Sequence, residues 1–353
     1  MSERIPVVVL GGTGYVAGEL LRLIAGHPRL QVASVLSDSQ PGGSLAAAFP
    51  HLRSSYPGLK FSGLEQVESF LRSAPRSALF SAAPHGVAAG LIDRLLSAAE
   101  GADRQIHCVD ISADFRYTSA AAYEAVYKHP HGAPSRIQQF TCAVPEHLAQ
   151  APTQYVSHPG CFATATLLAS VPLLALDLTD SRLFVTGITG STGAGRKPVE
   201  GTHHPLRHGD LYSYGALTHR HEPEIAACAK AATGTDAEFN FVPHSGPFAR
   251  GIHVTVQASL KRNITTADAL AALTAYYAHS PFVRVIDTAP RVKDVATSNY
   301  ANLSAVSNGR SIAVMSVIDN LNKGAAGGAV QWMNRLLEFD ESLGLTAPAP
   351  GWT

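Results

Sequence analysis

Cysteine is scarce in this chain: four residues in 353, at Cys108, Cys142, Cys161 and Cys228, with no CxxC pair. That excludes a disulfide framework and gives no zinc-ribbon spacing. An excess of charge of one sign is also missing. Lys plus Arg equals Asp plus Glu at 27 each, so the overall balance points to neither nucleic acid nor a membrane surface as partner. Long hydrophobic runs are lacking. None reaches the roughly 20 residues needed to cross a bilayer, and Pro172 interrupts even 167–178. Met1 to Pro6 leads straight into a strand pattern without a signal peptide, so the expected compartment is the cytoplasm. There is no internal repeat, low-complexity tract or long linker, and the tail Ala347-Pro348-Ala349-Pro350 reads as frayed.

What is present is a 46% hydrophobic composition and a length sufficient for two domains. The first third alternates short β-branched runs (7–10, 32–36, 77–82, 106–111) with helical patterns such as 18–25, which predicts βαβ units on a parallel sheet. From Cys161 a long helix is followed by β-rich stretches at 183–188, 239–242 and 251–259. The expected fold class is therefore α/β: a Rossmann-type dinucleotide-binding domain over 1–160, and an α+β catalytic and dimerisation domain over 161–318. The segment 319–353 carries apolar residues at helical spacing and is expected to pack back on the first domain.

Two motifs carry chemistry. Gly11-Gly12-Thr13-Gly14-Tyr15-Val16 follows an apolar strand and precedes an amphipathic helix, the arrangement that brings backbone N–H groups to a pyrophosphate. The alternative is a tight turn without ligand. Ser37-Asp38-Ser39 ends the second strand, where an acid would suit the ribose of NAD and hydroxyls the extra phosphate of NADP; the residues leave that choice open. Pro84-His85-Gly86 offers a second cofactor wall, or a loop-capping histidine.

Cys161 is the second motif. His158-Pro159-Gly160-Cys161 delivers a thiol to the start of an apolar helix, whose unpaired N–H groups and positive dipole end favour an anion. The alternative is a small packing cysteine, the reading preferred for Cys108, Cys142 and Cys228. A thiolate beside a nicotinamide suggests covalent catalysis on an acyl group. His219 and His221, one residue apart, would point the same way in an extended segment and supply an acid/base; alternatively they cap the helix that Pro223 starts. His203, His204 and His208 lack a further ligand at metal spacing, so a polar loop is expected and no metal. Gly193-Ala194-Gly195-Arg196-Lys197 could contact phosphate, and Arg116 and Arg250 could clamp a carboxylate bidentately, although each alone is more often an ion pair.

Several further stretches stand in a fixed order: Val109-Asp110-Ile111-Ser112-Ala113-Asp114-Phe115-Arg116, Val144-Pro145-Glu146, His219-Arg220-His221-Glu222-Pro223-Glu224, Pro243-His244, Arg250-Gly251 and Asp319-Asn320-Leu321-Asn322-Lys323-Gly324. Together with the glycine turn and the cysteine motif, they make the chain resemble the N-acetyl-gamma-glutamyl-phosphate reductases of arginine biosynthesis, from about Val7 to Leu345. The resemblance implies NADP(H) as cofactor, a small-molecule acyl phosphate as substrate, Cys161 as nucleophile and His219 as acid/base, with His221 and Tyr214 nearby. It further implies Arg116 and Arg250 on the substrate side, Thr192, Gly193 and Asn320 near the nicotinamide, and a homodimer or homotetramer. Departures from the commonest pattern are Ala17-Gly18 in the turn, Phe162 in place of tyrosine, and Ser245-Gly246 after His244. The rival readings are a sister reductase of carrier-bound aminoadipyl or glutamyl phosphate and a non-catalytic dinucleotide-binding regulator. Aspartate-semialdehyde dehydrogenase shares the logic, but its motifs fit poorly.

Overall fold

The computed structural model describes residues 4–100 and 104–351. The expectation for the start of the chain falls partly on residues 1–3, outside the described residues. The described residues form two compact units, one of 4–142, 150–158 and 326–345, the other of 143–149, 159–325 and 346–351.

The first unit is built on a six-stranded, wholly parallel sheet. Its strands are β1 (Ile5–Leu10), β2 (Leu30–Val35), β3 (Arg76–Ser81), β4 (Gln105–Asp110), β5 (Thr141–Cys142) and β6 (Tyr155–Ser157), in the order β2-β1-β3-β4-β6-β5. β1 is a continuous apolar run and β3 is buried from Ser77 to Ser81, because strands inside a parallel sheet are covered on both faces. The helices between strands are α1 (Tyr15–Ala25), α2 (Leu45–Ala48), α3 (Leu64–Ser73), α4 (Ala88–Ala99) and α5 (Ala120–Tyr127). A helix from the far end of the chain, α10 (Gly327–Leu336), belongs to this unit and packs on β4 with Trp332 fully buried. His27 fastens it: Nδ1 accepts the Leu30 N–H at 3.0 Å, which leaves the Nε2 proton for Asn334 Oδ1, also at 3.0 Å.

The second unit contains α6 (Cys161–Ala175), a mixed sheet and three further helices. The strands β7 (Arg182–Thr189), β8 (Tyr212–Ser213), β9 (Glu238–Ser245), β10 (Ile252–Ser259), β11 (Val283–Val285), β12 (Ala301–Ser307) and β13 (Ser311–Ile318) stand in the order β11-β12-β13-β10-β7-β9-β8. The helices are α7 (His204–Arg207), α8 (Glu222–Thr233) and α9 (Thr266–Tyr276). β7 and β9 alternate exposed and buried residues, as strands with one covered face do. α6 covers that face, packing on β7, β10 and β13. It is apolar all round and almost wholly buried, the character of a central helix, and it runs through Pro172 to Ala175 rather than ending there.

Candidate active site

In the first unit the glycine turn is shaped by what surrounds it. Gly11 has φ +73°, and a Cβ there would fall 2.4 Å from the Ala82 carbonyl oxygen; one at Gly12 would fall 2.7 Å from Val35 Cγ1. Both glycines are therefore obligatory for the strand ends to close on the turn. Gly14 is different, since its Cβ would meet only the Gly11 carbonyl oxygen, at 3.8 Å. α1 starts there without a side-chain cap and without an acid in its first turn, and the space beside Gly14 is open, which suits the approach of a pyrophosphate to a helix start. Gly18, out of place by the commonest pattern, gives room to Phe49: a Cβ would stand 2.8 Å from its ring.

α4 begins with its N–H groups already taken. Asp114 accepts from the N–H of Gly86 at 2.8 Å and of Ala89 at 2.9 Å, and from the Tyr123 hydroxyl at 3.1 Å. Beside it, burial lifts the Asp110 carboxyl to about 6, against the hydrogen bonds from Ser112 that lower it. His85 stands at the surface next to Pro84, with Nδ1 accepting the Ala113 N–H at 2.9 Å, so its ring is pinned from behind. At the end of β2, Ser37 Oγ accepts the Gln40 N–H at 3.2 Å and lies 3.4 Å from Ser39 Oγ, while Asp38 is exposed.

In the second unit Cys161 is the first residue of α6, after Gly160 in extended conformation with no side-chain cap. The Gly160 N–H donates to Glu224 Oε1 at 2.6 Å, and Glu224 is fully buried on α8. This bond ties the turn of the thiol to the helix that follows the histidine pair. In the sequence Glu224 is only one member of the stretch from His219, and its hydrogen-bonded partner, 64 residues away, leaves no local signal.

His219 and His221 do not lie on an extended segment. They sit in a turn, with His221 in helical conformation at the N-cap position of α8, and the chain curls so that the His221 N–H donates to His219 Nδ1 at 3.2 Å. The rings still meet edge to face, 4.7 Å apart. Phe162 packs on both at 6.0 and 6.4 Å, and Tyr214 lies 5.6 Å from His219. Burial, aided by Arg220, lowers His219 to about 4, so at neutral pH its ring is uncharged; with Nδ1 accepting, the proton is on Nε2. Desolvation first, and then the charge of nearby Cys161, pushes the Tyr214 phenol up and keeps it a donor. The structure thus brings Cys161, Tyr214, His219 and His221 together.

The two arginines expected as free clamps have other partners. Arg250 spends its Nε and Nη2 fork on Asp319, both bonds at 2.9 Å. Arg116 is buried and donates from Nε to the His158 carbonyl at 3.1 Å and from Nη2 to the Ile111 carbonyl at 2.7 Å. A second bidentate grip through those edges is therefore excluded, because each N–H points at one acceptor. Asn320 is likewise engaged, accepting the Gly251 N–H at 2.7 Å and donating to Thr192 Oγ1 at 3.0 Å. Thr192 Oγ1 in turn donates to the Ala249 carbonyl at 2.6 Å, so Asn320 sets the direction of the loop that carries Thr192 and Gly193. Arg196 and Lys197 are exposed, and the rings of His204 and His208 lie 5.1 Å apart, tilted by 36°, around α7. Among the described residues no group of three or more His, Cys, Asp or Glu is arranged to hold a metal ion, and no helix is long and apolar enough to cross a membrane.

The comparisons with known proteins follow the same division. Residues 6–147 match the semialdehyde dehydrogenase NAD-binding domain, and residues 161–320 the semialdehyde dehydrogenase dimerisation domain. A dinucleotide-binding unit followed by a thiol-bearing dimerisation unit defines the class as an oxidoreductase of the semialdehyde dehydrogenase type. N-acetyl-gamma-glutamyl-phosphate reductase of Pseudomonas entomophila is 38% identical over 350 residues, spanning 97% of this chain and 98% of the relative; that of Pseudomonas aeruginosa is 38% identical over 354 residues, spanning 98% and 99%. The chain belongs to the N-acetyl-gamma-glutamyl-phosphate reductase family. The structure of aspartate semialdehyde dehydrogenase II from Vibrio cholerae is similar at a TM-score of 0.69 over 96% of this chain and 99% of that one, with 15% identity, and so shares its fold.

Proposed function

We propose that the chain reduces N-acetyl-L-glutamyl 5-phosphate to N-acetyl-L-glutamate 5-semialdehyde and inorganic phosphate with NADPH, a cytoplasmic step of arginine biosynthesis. The observation that carries this is a thiol at the first residue of a buried helix, beside a neutral histidine and a phenol. Cys161 Sγ attacks the acyl carbon, and phosphate leaves with the electron pair of the C–O bond, giving a thioester on the enzyme. In the first unit Gly11, Gly12, Thr13, Gly14, Tyr15, Val16, Pro84 and His85 are the residues to hold the cofactor, and the hydroxyls of Ser37 and Ser39 suit its extra phosphate. When bound, NADPH supplies the hydride that reduces the thioester. His219 Nε2–H donates a hydrogen bond to the oxyanion of the hemithioacetal, and as that oxyanion re-forms the carbonyl the C–S bond breaks with its electron pair on sulfur, releasing the aldehyde and the thiolate.

The uncovered face of the seven-stranded sheet leaves Phe184 53% and Val306 55% exposed. We assign that face to a second copy in a homodimer, itself able to pair into a tetramer.

The test runs the reaction backwards. Phosphate-dependent reduction of NADP⁺ by N-acetylglutamate 5-semialdehyde is expected for the wild type, with a loss of at least ~10³-fold in Cys161→Ser. Equal rates would overturn the mechanism. Turnover only with a carrier-bound aminoadipyl or glutamyl semialdehyde would move the chain to the sister reductases.

A further inference from the structure

We infer that Glu146 and Lys323 are positioning residues for Cys161: their buried ion pair braces the turn that backs the nucleophile. The inference rests on Cys161 being that nucleophile, and on three contacts within the second unit. The first is the turn itself. Asn322–Ala326 is a single π-helical turn, closed by the Gly324 N–H on the Asp319 carbonyl at 3.0 Å. π-turns cost regular hydrogen bonding and recur where a function needs an irregular backbone. A Cβ on Gly324 would lie 2.7 Å from Cys161 Cβ and 3.0 Å from its Cα, so the turn is in van der Waals contact with the backbone of the nucleophile. Any shift of this turn moves Cys161 or opens a gap behind it.

The second contact holds the turn. Lys323, the second residue of the turn, is 0% exposed and donates from Nζ to Glu146 Oε1 at 2.6 Å; the Glu146 side chain is 1% exposed. The Nζ lies 5.6 Å from the centre of the Phe282 ring. Taking two charges out of water makes such a pair a poor source of stability, and what it does well is to fix one geometry, because either charge left alone in the interior is very unfavourable. The third contact comes from His147. Burial lowers this imidazole to about 4, so it is neutral, and it lies 2.9 Å through Nε2 from Tyr277 Oη. The Tyr277 proton goes to the Leu168 carbonyl of α6 at 2.7 Å, so His147 Nε2–H is the donor to the phenol oxygen. The short Pro145–His147 turn thus grips the backing turn through Glu146 and the helix of the nucleophile through His147. No role in the chemical steps falls to this Val144-Pro145-Glu146 motif.

The experiment compares Glu146→Gln, Lys323→Met, Lys323→Arg and Gly324→Ala in the full-length protein. For each folded variant we would measure kcat, KM for both substrates, melting temperature, and the rate at which iodoacetamide alkylates Cys161, read on its peptide by mass spectrometry. Misplacing a reacting group by an ångström can cost about 10²-fold, so Lys323→Met and Gly324→Ala should lose about that much kcat with KM little changed. Their Cys161 alkylation rates should change in parallel, and Lys323→Arg should recover part of both. If Lys323→Met does not fold, Glu146→Gln and Gly324→Ala decide the matter. Wild-type kcat and wild-type alkylation rate in these two, with only the melting temperature lowered, would overturn the brace. Alkylation is measured without substrate, so a failure of the proposed reaction, seen as an active Cys161→Ser, remains distinguishable from a failure of the brace.

Discussion

Helix α1 of the first unit and helix α6 of the second both begin after a glycine in extended conformation, with no side-chain cap and no acid in the first turn. From there they diverge. Around α1 the strand ends close on Gly11 and Gly12 but leave Gly14 facing open space, so the helix start can receive an anion brought by a ligand. At α6 the N-cap N–H is already held by Glu224, and the first helical residue brings its own thiol, which the proposed function uses as a thiolate. α4 completes the series, since Asp114 closes its start from within the unit. The three helix starts, two after an extended glycine and α4 after Val87 in helical conformation, thus have three uses, and the neighbouring side chains decide which. A helix N-terminus defines a ligand site only where the fold leaves it open.

The sharpest way to separate the first two is His219→Asn, which acts at the α6 end alone. The asparagine oxygen can still accept the His221 N–H, so the turn should survive, while kcat falls by about 10²-fold or more and NADPH affinity holds. In the wild type, His219 is neutral above about 4 and protonates only as the pH falls through that value. The pH profile of kcat/KM should therefore show no acid limb from His219 between pH 6 and 7; a limb near 6.5 would mean that the ring is solvated. At α1, Gly14→Asp places a carboxylate where a Cβ meets no obstacle. NADPH binding should weaken by about 10-fold through charge repulsion at the helix start, with the melting temperature unchanged and kcat at saturating cofactor preserved. At α4, Asp114→Ala should have the smallest effect on the reaction: a loss of about 1–2 kcal/mol in denaturant unfolding, as for a removed cap, and NADPH affinity as in the wild type. A large affinity loss there would show that α4 also serves the cofactor.

The parts of the fold that could be read in advance are those with local rules. The run Val7 to Leu10 before Gly11 falls in β1, and the run Leu183 to Ile188 falls in β7. Cys161 stands at a helix start because Pro159 and Gly160 cannot continue a strand or a helix there. What escaped is the pairing of polar groups far apart in sequence. The Gly160 N–H finds Glu224, Lys323 finds Glu146, and Arg250 finds Asp319 only after the sheet and α6 have formed. An arginine in a family motif reads as a ligand for substrate, yet the same donors can serve main-chain carbonyls, as Arg116 shows. For the histidine pair the structure departs from the extended reading and follows the alternative at His221, which stands at the N-cap position of the helix that Pro223 starts.

The Asp319 carboxylate accepts the Arg250 fork and also the N–H groups of Thr297, Leu321 and Asn322, at 2.6, 2.9 and 2.8 Å. Three stretches of chain therefore share a single acceptor. In hydrogen exchange, their amides should open as one cooperative unit rather than fray separately, because releasing any one of them means loosening the carboxylate that holds the others. The segment bearing Arg250, the loop at Thr297 and the turn behind Cys161 would then gain or lose order together.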